Sequence, residues 1–328
     1  MQRTAGDAVF FLLLAHKPAA ADFWRYVSNP KDNVMLNRDI FDKNMVCHYT
    51  GKEAAILILS GKQINFSRLL SCDDPRESKQ WSFGFIGSEQ RLCLENYAEV
   101  PNIFSSYISN NSRVLCFCGW NDEKLDFSNN MVPHYREAYY RAGFARSRMW
   151  SQYGRDRTCD GRGHTGVCLV FDRTRLEEEF ESSFGTNKKF SGSVEYQYYL
   201  ESFVKARKIE CRNILNKSVD EALGMQIDAN FHEYFFLKSM DYRDEHEYRL
   251  VVIVDAGDSI YLPIESSLKA VVVGVDFPPE EYESIDALAQ NCSSSVERWF
   301  LSWQEGRPQL FNLCEKIRGN KPVSNITN

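Results

Sequence analysis

The 328-residue chain lacks the short motifs that mark the commonest nucleotide- and ester-handling folds. It has no G-x-x-x-x-G-K-[ST], no G-x-S-x-G and no H-E-x-x-H, which sets aside P-loop, α/β-hydrolase and zincin chemistry. No glycine-rich loop leads from a strand into a helix, as a Rossmann fingerprint requires. Ten cysteines are scattered with no C-x-x-C pair, which removes zinc ribbons and thioredoxin-like redox motifs. Basic charge is not in excess: the net charge is -6, so the chain as a whole is no generic nucleic-acid binder. No apolar run is long enough to cross a membrane, and no internal repeat or long linker divides the chain.

What remains is the composition of a globular protein with a full-sized core. Apolar residues make up 43% of the chain, aromatics 13% and charged residues 26%. Several cysteines lie within apolar runs, such as Cys116 and Cys168, and read as buried free thiols in a reducing, cytoplasmic setting. Residues 1–44 read as an N-terminal helical extension. Its apolar stretch 8–15 is either a buried helix or the core of a secretory signal. Residues 45–315 form one domain, and 316–328 a disordered polar tail. Helices and strands intersperse without regular βαβ alternation, which predicts an α+β fold with a mixed, largely antiparallel sheet and flanking helices.

Four places draw attention as chemistry. Residues 47–67 read as strand, helix, strand, with Thr50-Gly51-Lys52-Glu53 as a capping box and Gly61 as the C-terminal cap. His48 stands where that strand meets the helix N-terminus, a position suited to anionic groups. It is either a hydrogen-bonded structural histidine or a ligand-facing one. Glu245 and Glu247 open a later strand. At strand spacing they share a face with Arg249, Val251 and Ile253, their carboxylates ~7 Å apart. They are either a solvated, arginine-paired strand start or a functional pair. Between Arg136 and Arg162, seven arginines face three carboxylates, a local charge of +4 suited to phosphate. Trp150 and Tyr153 in the same stretch fit either core packing or stacking on a ring. The turn Asp73-Asp74-Pro75-Arg76-Glu77 is the fourth. No histidine cluster accompanies it, so no metal is expected.

Taken in order, these pieces resemble a widespread bacterial family known mainly as a domain of unknown function. The resemblance rests on His48-Tyr49-Thr50, Asp73-Asp74-Pro75-Arg76-Glu77, the strand around Cys116, Met149-Trp150 with Tyr153, Gly166 to Phe171, and Lys238, Tyr242, Glu245, Glu247, Tyr248 and Arg249. It covers roughly residues 45–290. That family in turn is similar to the ADP-ribosyltransferases, with a histidine on the first strand and an E-x-E at a late one. The resemblance implies an ADP-ribosyltransferase-like split, mainly antiparallel sheet, and NAD as co-substrate. It implies catalytic roles for Glu247, Glu245 and His48, and NAD contacts from His48, Tyr49, Thr50, Tyr153, Trp150, Arg148 and Arg155. The acceptor is an unknown protein or nucleic acid, with no membrane involved; a toxin or phage-defence role follows by analogy alone. NAD hydrolysis and a non-catalytic nucleotide- or nucleic-acid-binding module are the alternatives.

Overall fold

The structure is a computed structural model that describes residues 39–122, 134–155, 163–254, 257 and 259–320. The expected helix at the N-terminus and its apolar run 8–15 lie outside them. Among the described residues the frame is a nine-stranded sheet. Its strands are β1 (Met45–Thr50), β2 (Ser67–Arg68), β3 (Ser112–Cys118), β4 (Val167–Asp172), β5 (Lys189–Ser193), β6 (Glu247–Ile253), β7 (Leu268–Val273), β8 (Glu297–Gln304) and β9 (Arg307–Asn312). They lie in the order β9-β8-β7-β4-β1-β3-β6-β5, with β2 also bonded to β3. All pairings are antiparallel except β7 with β8. The α+β, mainly antiparallel architecture thus matches the expectation.

Strands such as Val-Cys-Leu-Val-Phe are apolar at nearly every position because both faces of the sheet are covered. On one face, Val46, Leu169, Phe171, Leu250, Val252 and Val271 pack against helices Lys52–Gly61, Arg173–Ser183 and Tyr282–Cys292. On the other, Val114, Val251 and Ile253 meet helices Val100–Asn111 and Val219–Phe235. Further along that second face, Cys47, Tyr49, Val170 and Val272 pack on Phe144 and Trp150. The nine described cysteines are free thiols, six of them buried.

Several local expectations are corrected. Thr50 does not cap the first helix. Its backbone is still in the ladder, opposite Val167, so Gly51 takes the N-cap position with no side-chain bond. Gly61 is the last helical residue, and the left-handed cap is Lys62, whose N–H reaches Ile58 O. The stretch 135–154 breaks into helix His134–Arg141, a 3-10 turn at Gly143–Ala145 and helix Ser147–Gln152. Gly143 marks the close approach: a Cβ there would lie 2.5 Å from Cys118 O. The segment expected as a tail begins inside helix Leu313–Asn320, and its remainder lies outside the described residues. Glu245 is not in a strand. It ends the 3-10 helix Met240–Glu245, and left-handed His246 (φ 43°) separates it from β6.

That sheet carries one local break. β1 and β3 are bonded at a single residue pair, Cys47 with Cys118, while β1 pairs with β4 along all six residues. Beyond Cys47 the C-terminal half of β1 leaves β3, and a cleft opens through the sheet.

Candidate active site

The cleft has a volume of about 690 Å³ and is lined from both faces of the sheet. That is the size of ordinary small-molecule sites. His48 reaches it from the face of Val46, its ring 5.9 Å from that of Phe117. Glu247 reaches it from the opposite face, the side of Val251. Strand alternation alone would keep these two side chains apart; the opening between β1 and β3 brings both to one cavity.

His48 fills the place of the missing ladder. Its Nδ1 lies 3.0 Å from the Cys116 carbonyl, an acceptor, so Nδ1 carries the proton. Burial pushes the His48 pKa below its usual value, against the opposing effect of that hydrogen bond. The ring is therefore neutral, with the Nε2 lone pair unused by this bond.

Opposite His48 sits a buried ion network. Lys238 Nζ lies 2.9 Å from Glu245 Oε2 and 2.8 Å from Glu247 Oε2. Arg249 Nε and Nη2 fork the two oxygens of Glu247 at 2.6 and 3.0 Å. The same guanidinium forks Glu77, with Nη2 to Oε2 at 3.2 Å, and gives Nη1 to Phe235 O at 2.7 Å. Arg76 Nη2 reaches Glu77 at 3.0 Å. Asp74 caps the short helix Pro75–Ser78 by accepting from Arg76 N, with Pro75 at its first position. Glu77, the third residue of that helix, is buried.

The two carboxylates differ in character. Burial would raise the pKa of Glu247, but Arg249 and Lys238 outweigh it and hold the group well below the usual carboxylate range. Glu245 is raised: burial dominates over Lys238, and the neighbouring Glu247 adds to the rise. Its Oε1 accepts from Tyr153 OH at 3.3 Å. Lys238 stays charged: desolvation opposes the charge, but Glu247, Glu77 and Glu245 together outweigh it and hold the pKa above the usual lysine value. It also sits 4.9 Å from the centre of the Tyr242 ring.

The expected site residues divide clearly. His48, Tyr49, Thr50, Tyr153, Glu245 and Glu247 line the cleft. The Tyr49 side chain points to the other face, its hydroxyl 2.5 Å from Gly143 O, so it offers the cleft backbone rather than a ring. Trp150 is a correction. It is fully buried, donates Nε1 to Phe144 O at 2.8 Å and meets Tyr49 edge-on, so no ligand can stack on it. Arg148 is also outside the cleft, on the surface 3.5 Å from Asp244, and Arg155 is exposed and not among the lining residues. Arg141 pairs with Glu137, and Arg146 donates to Gly119 O at 3.1 Å. Arg157 and Arg162 lie outside the described residues, as does the side chain of Arg136. Arg141, Arg146 and Arg148 are thus spent on helix and loop ties. Gly161 to Gly166 does spell G-x-G-x-x-G, but its described part, 163–166, leads into strand β4 and not into a helix.

Lys238 and Glu77 are the members that sequence reasoning valued least, although both stand in quoted motifs. Lys238 bridges Glu245 and Glu247, and Glu77 holds the far side of Arg249. Among the described residues, no group of three or more His, Cys, Asp or Glu side chains is placed to hold a metal ion, and no helix is long and apolar enough to cross a membrane. No curated protein matches the chain. Residues 149–250, which contain Tyr153, Lys238, Glu245, Glu247 and Arg249 but not His48 or Glu77, match a family described as a protein of unknown function (DUF2971).

Proposed function

We infer that the cleft binds the nicotinamide–ribose half of NAD+, breaks the bond between them and passes ADP-ribose to a macromolecular acceptor. One observation carries this reading: His48 and Glu247, far apart in sequence and on opposite faces of the sheet, meet in one cavity together with Glu245. The open ladder between β1 and β3 is also what an ADP-ribosyltransferase-like split sheet would have.

The charge balance suits the chemistry. Asp73, Asp74, Glu77, Glu245 and Glu247 line the cleft, and Arg76, Lys238 and Arg249 oppose them, which leaves carboxylates in excess. Nicotinamide in NAD+ is cationic, and positive charge moves to the ribose as the bond breaks. Fixed anions in a water-poor site stabilise that charge without reorganising. Glu247, held ionised at neutral pH by Arg249 and Lys238, supplies the fixed charge. Glu245, with its raised pKa, takes the proton of the attacking acceptor. Neutral His48 offers Nε2 to a ribose hydroxyl, and the Thr50 hydroxyl lies on the same wall. Tyr153 and Tyr242 supply ring surface.

The test is to incubate the full chain with NAD+ labelled in the adenylate half and with candidate acceptors, beside Glu247→Gln. The expected result is nicotinamide release with labelled acceptor, reduced about 100-fold or more in the variant. Nicotinamide release without labelled acceptor would identify a hydrolase. Binding that survives Glu247→Gln and weakens steeply with salt would identify a non-catalytic module. Neither cleavage nor binding of NAD+ would overturn the reading.

A further inference from the structure

We propose that Glu77 is a positioning residue of the cleft, acting through Arg249 on Glu247 and, beyond it, on Lys238 and Glu245. This inference rests on reading the cleft as catalytic.

The hydrogen-bond inventory of Arg249 is complete. A guanidinium has five N–H groups. Nε and one N–H of Nη2 go to Glu247, the other N–H of Nη2 and one of Nη1 go to Glu77, and the last goes to Phe235 O. Arg249 is fully buried within β6 and keeps no donor for a ligand. Its role is therefore internal. Glu247 is one carboxylate on this guanidinium, and it is shared with Lys238. Glu77, 172 residues earlier in the chain, is the second. Held by two carboxylates in one plane, the guanidinium cannot rotate, and its fork fixes the plane of Glu247.

From there the chain of contacts runs toward the ligand. Glu247 Oε2 takes Lys238 as well as Arg249, and Lys238 is shared onward with Glu245. Without Glu77, two Arg249 donors turn to Glu247 and draw it away from Lys238. Lys238 then closes on Glu245 and favours its ionised form. The groups that bear on Glu245 are Lys238, Glu247, Tyr153, Tyr242, Tyr196 and the Cys118 thiol. Of these, Glu247 and, through it, the sharing of Lys238 are held in place by Glu77 through Arg249.

In the proposed reaction the C1′–N bond breaks and its electron pair goes to the ring nitrogen, releasing neutral nicotinamide. The acceptor's lone pair forms the new bond at C1′. Its proton passes to the Glu245 carboxylate and then to solvent. The rate falls at acid pH as Glu245 becomes protonated, and the position of that acid limb reports the Lys238–Glu245 contact.

The experiment compares the full-length wild type with Glu77→Gln, Glu77→Asp and Arg249→Lys. Nicotinamide release is measured against NAD+ concentration and pH, per folded molecule. In Glu77→Gln and Arg249→Lys, kcat should fall about 100-fold, the cost of a small misplacement near reacting groups, with KM little changed. The acid limb of Glu77→Gln should move to lower pH. Glu77→Asp keeps the charge with a shorter reach and should recover part of kcat. A Glu77→Gln variant with wild-type kcat and limb, whatever its stability, would overturn the proposal. If wild type neither binds nor cleaves NAD+, the functional reading fails. Carbon-13 NMR titration of the Glu245 carboxyl, assigned with Glu245→Gln, then decides the positioning role. A lower Glu245 midpoint in Glu77→Asp supports it, and an unchanged one overturns it.

Discussion

His48 donates its Nδ1 proton to the Cys116 carbonyl across the gap where β1 and β3 no longer pair, at 3.0 Å. A side chain thus satisfies a main-chain acceptor that a neighbouring strand would otherwise bond. His48→Ala leaves that carbonyl without this donor and should cost about 1 kcal/mol of stability, read from the midpoint of a urea unfolding curve. His48→Asn can restore a donor in part. If the cleft binds NAD+, His48→Asn should regain stability without regaining affinity, because the Nε2 acceptor is not replaced in position.

Trp150 separates packing from binding. Its ring is buried between Tyr49, Phe144 and His164 and holds Phe144 O. Trp150→Ala should destabilise the fold by about 3–5 kcal/mol, the usual cost of deleting a large buried aromatic. Trp150→Phe should cost much less. Ligand affinity per folded molecule in Trp150→Phe should equal that of wild type, as measured by calorimetry. A large loss of affinity with intact stability would return Trp150 to the site.

Two four-residue stretches show what the sequence could and could not reveal. Thr50-Gly51-Lys52-Glu53 and Ser218-Val219-Asp220-Glu221 carry the same capping pattern. Only the second forms the box, with Ser218 and Glu221 exchanging both bonds. Thr50 is claimed by its ladder to Val167, a partner more than a hundred residues away, which no local pattern reveals. The same limit hides the ion network. Glu245 and Glu247 were legible as an unusual pair, but their partner Lys238 and the distant Glu77 are brought in by tertiary packing. The arginine stretch misled for the opposite reason: its charges are local in sequence and scattered in space. The hairpin of β8 and β9 carries no hairpin dipeptide. Glu305 and Gly306 both adopt positive φ, and only the glycine does so without cost.

Glycines at close approaches should behave unlike one in open space. A Cβ on Gly274 would lie 2.1 Å from His164 O, a main-chain atom that cannot yield cheaply. Gly274→Ala should lose about 2–3 kcal/mol, on the scale of an overpacked core. Gly224 lies inside helix Val219–Phe235 with nothing within 4 Å of its Cβ position. Gly224→Ala should gain about 0.5–1 kcal/mol by removing freedom from the unfolded chain. Thermal unfolding of the two variants checks both signs.

Acid should destabilise the protein in two stages that separate the titrating groups. The folded-state pKa of His48 is lowered from 6.5, so its contribution is full above 6.5 and fades as pH falls. Glu247 is lowered from 4.5, so its contribution is full above 4.5 and fades as pH drops toward its folded value. Glu245 acts the other way. Its pKa is raised from 4.5, so its contribution is present below 4.5 and is lost as pH rises through the raised value. Urea midpoints measured from neutral pH down to pH 2 resolve the three. Glu245→Gln should remove the opposing rise and make the loss between neutrality and pH 4.5 steeper. Glu247→Gln should flatten the curve below 4.5, because the variant has no carboxylate there to protonate, while lowering it throughout by leaving Arg249 and Lys238 a partner short. A Glu247→Gln curve parallel to wild type below pH 4.5 would show that the carboxylate is not held ionised by its two cations.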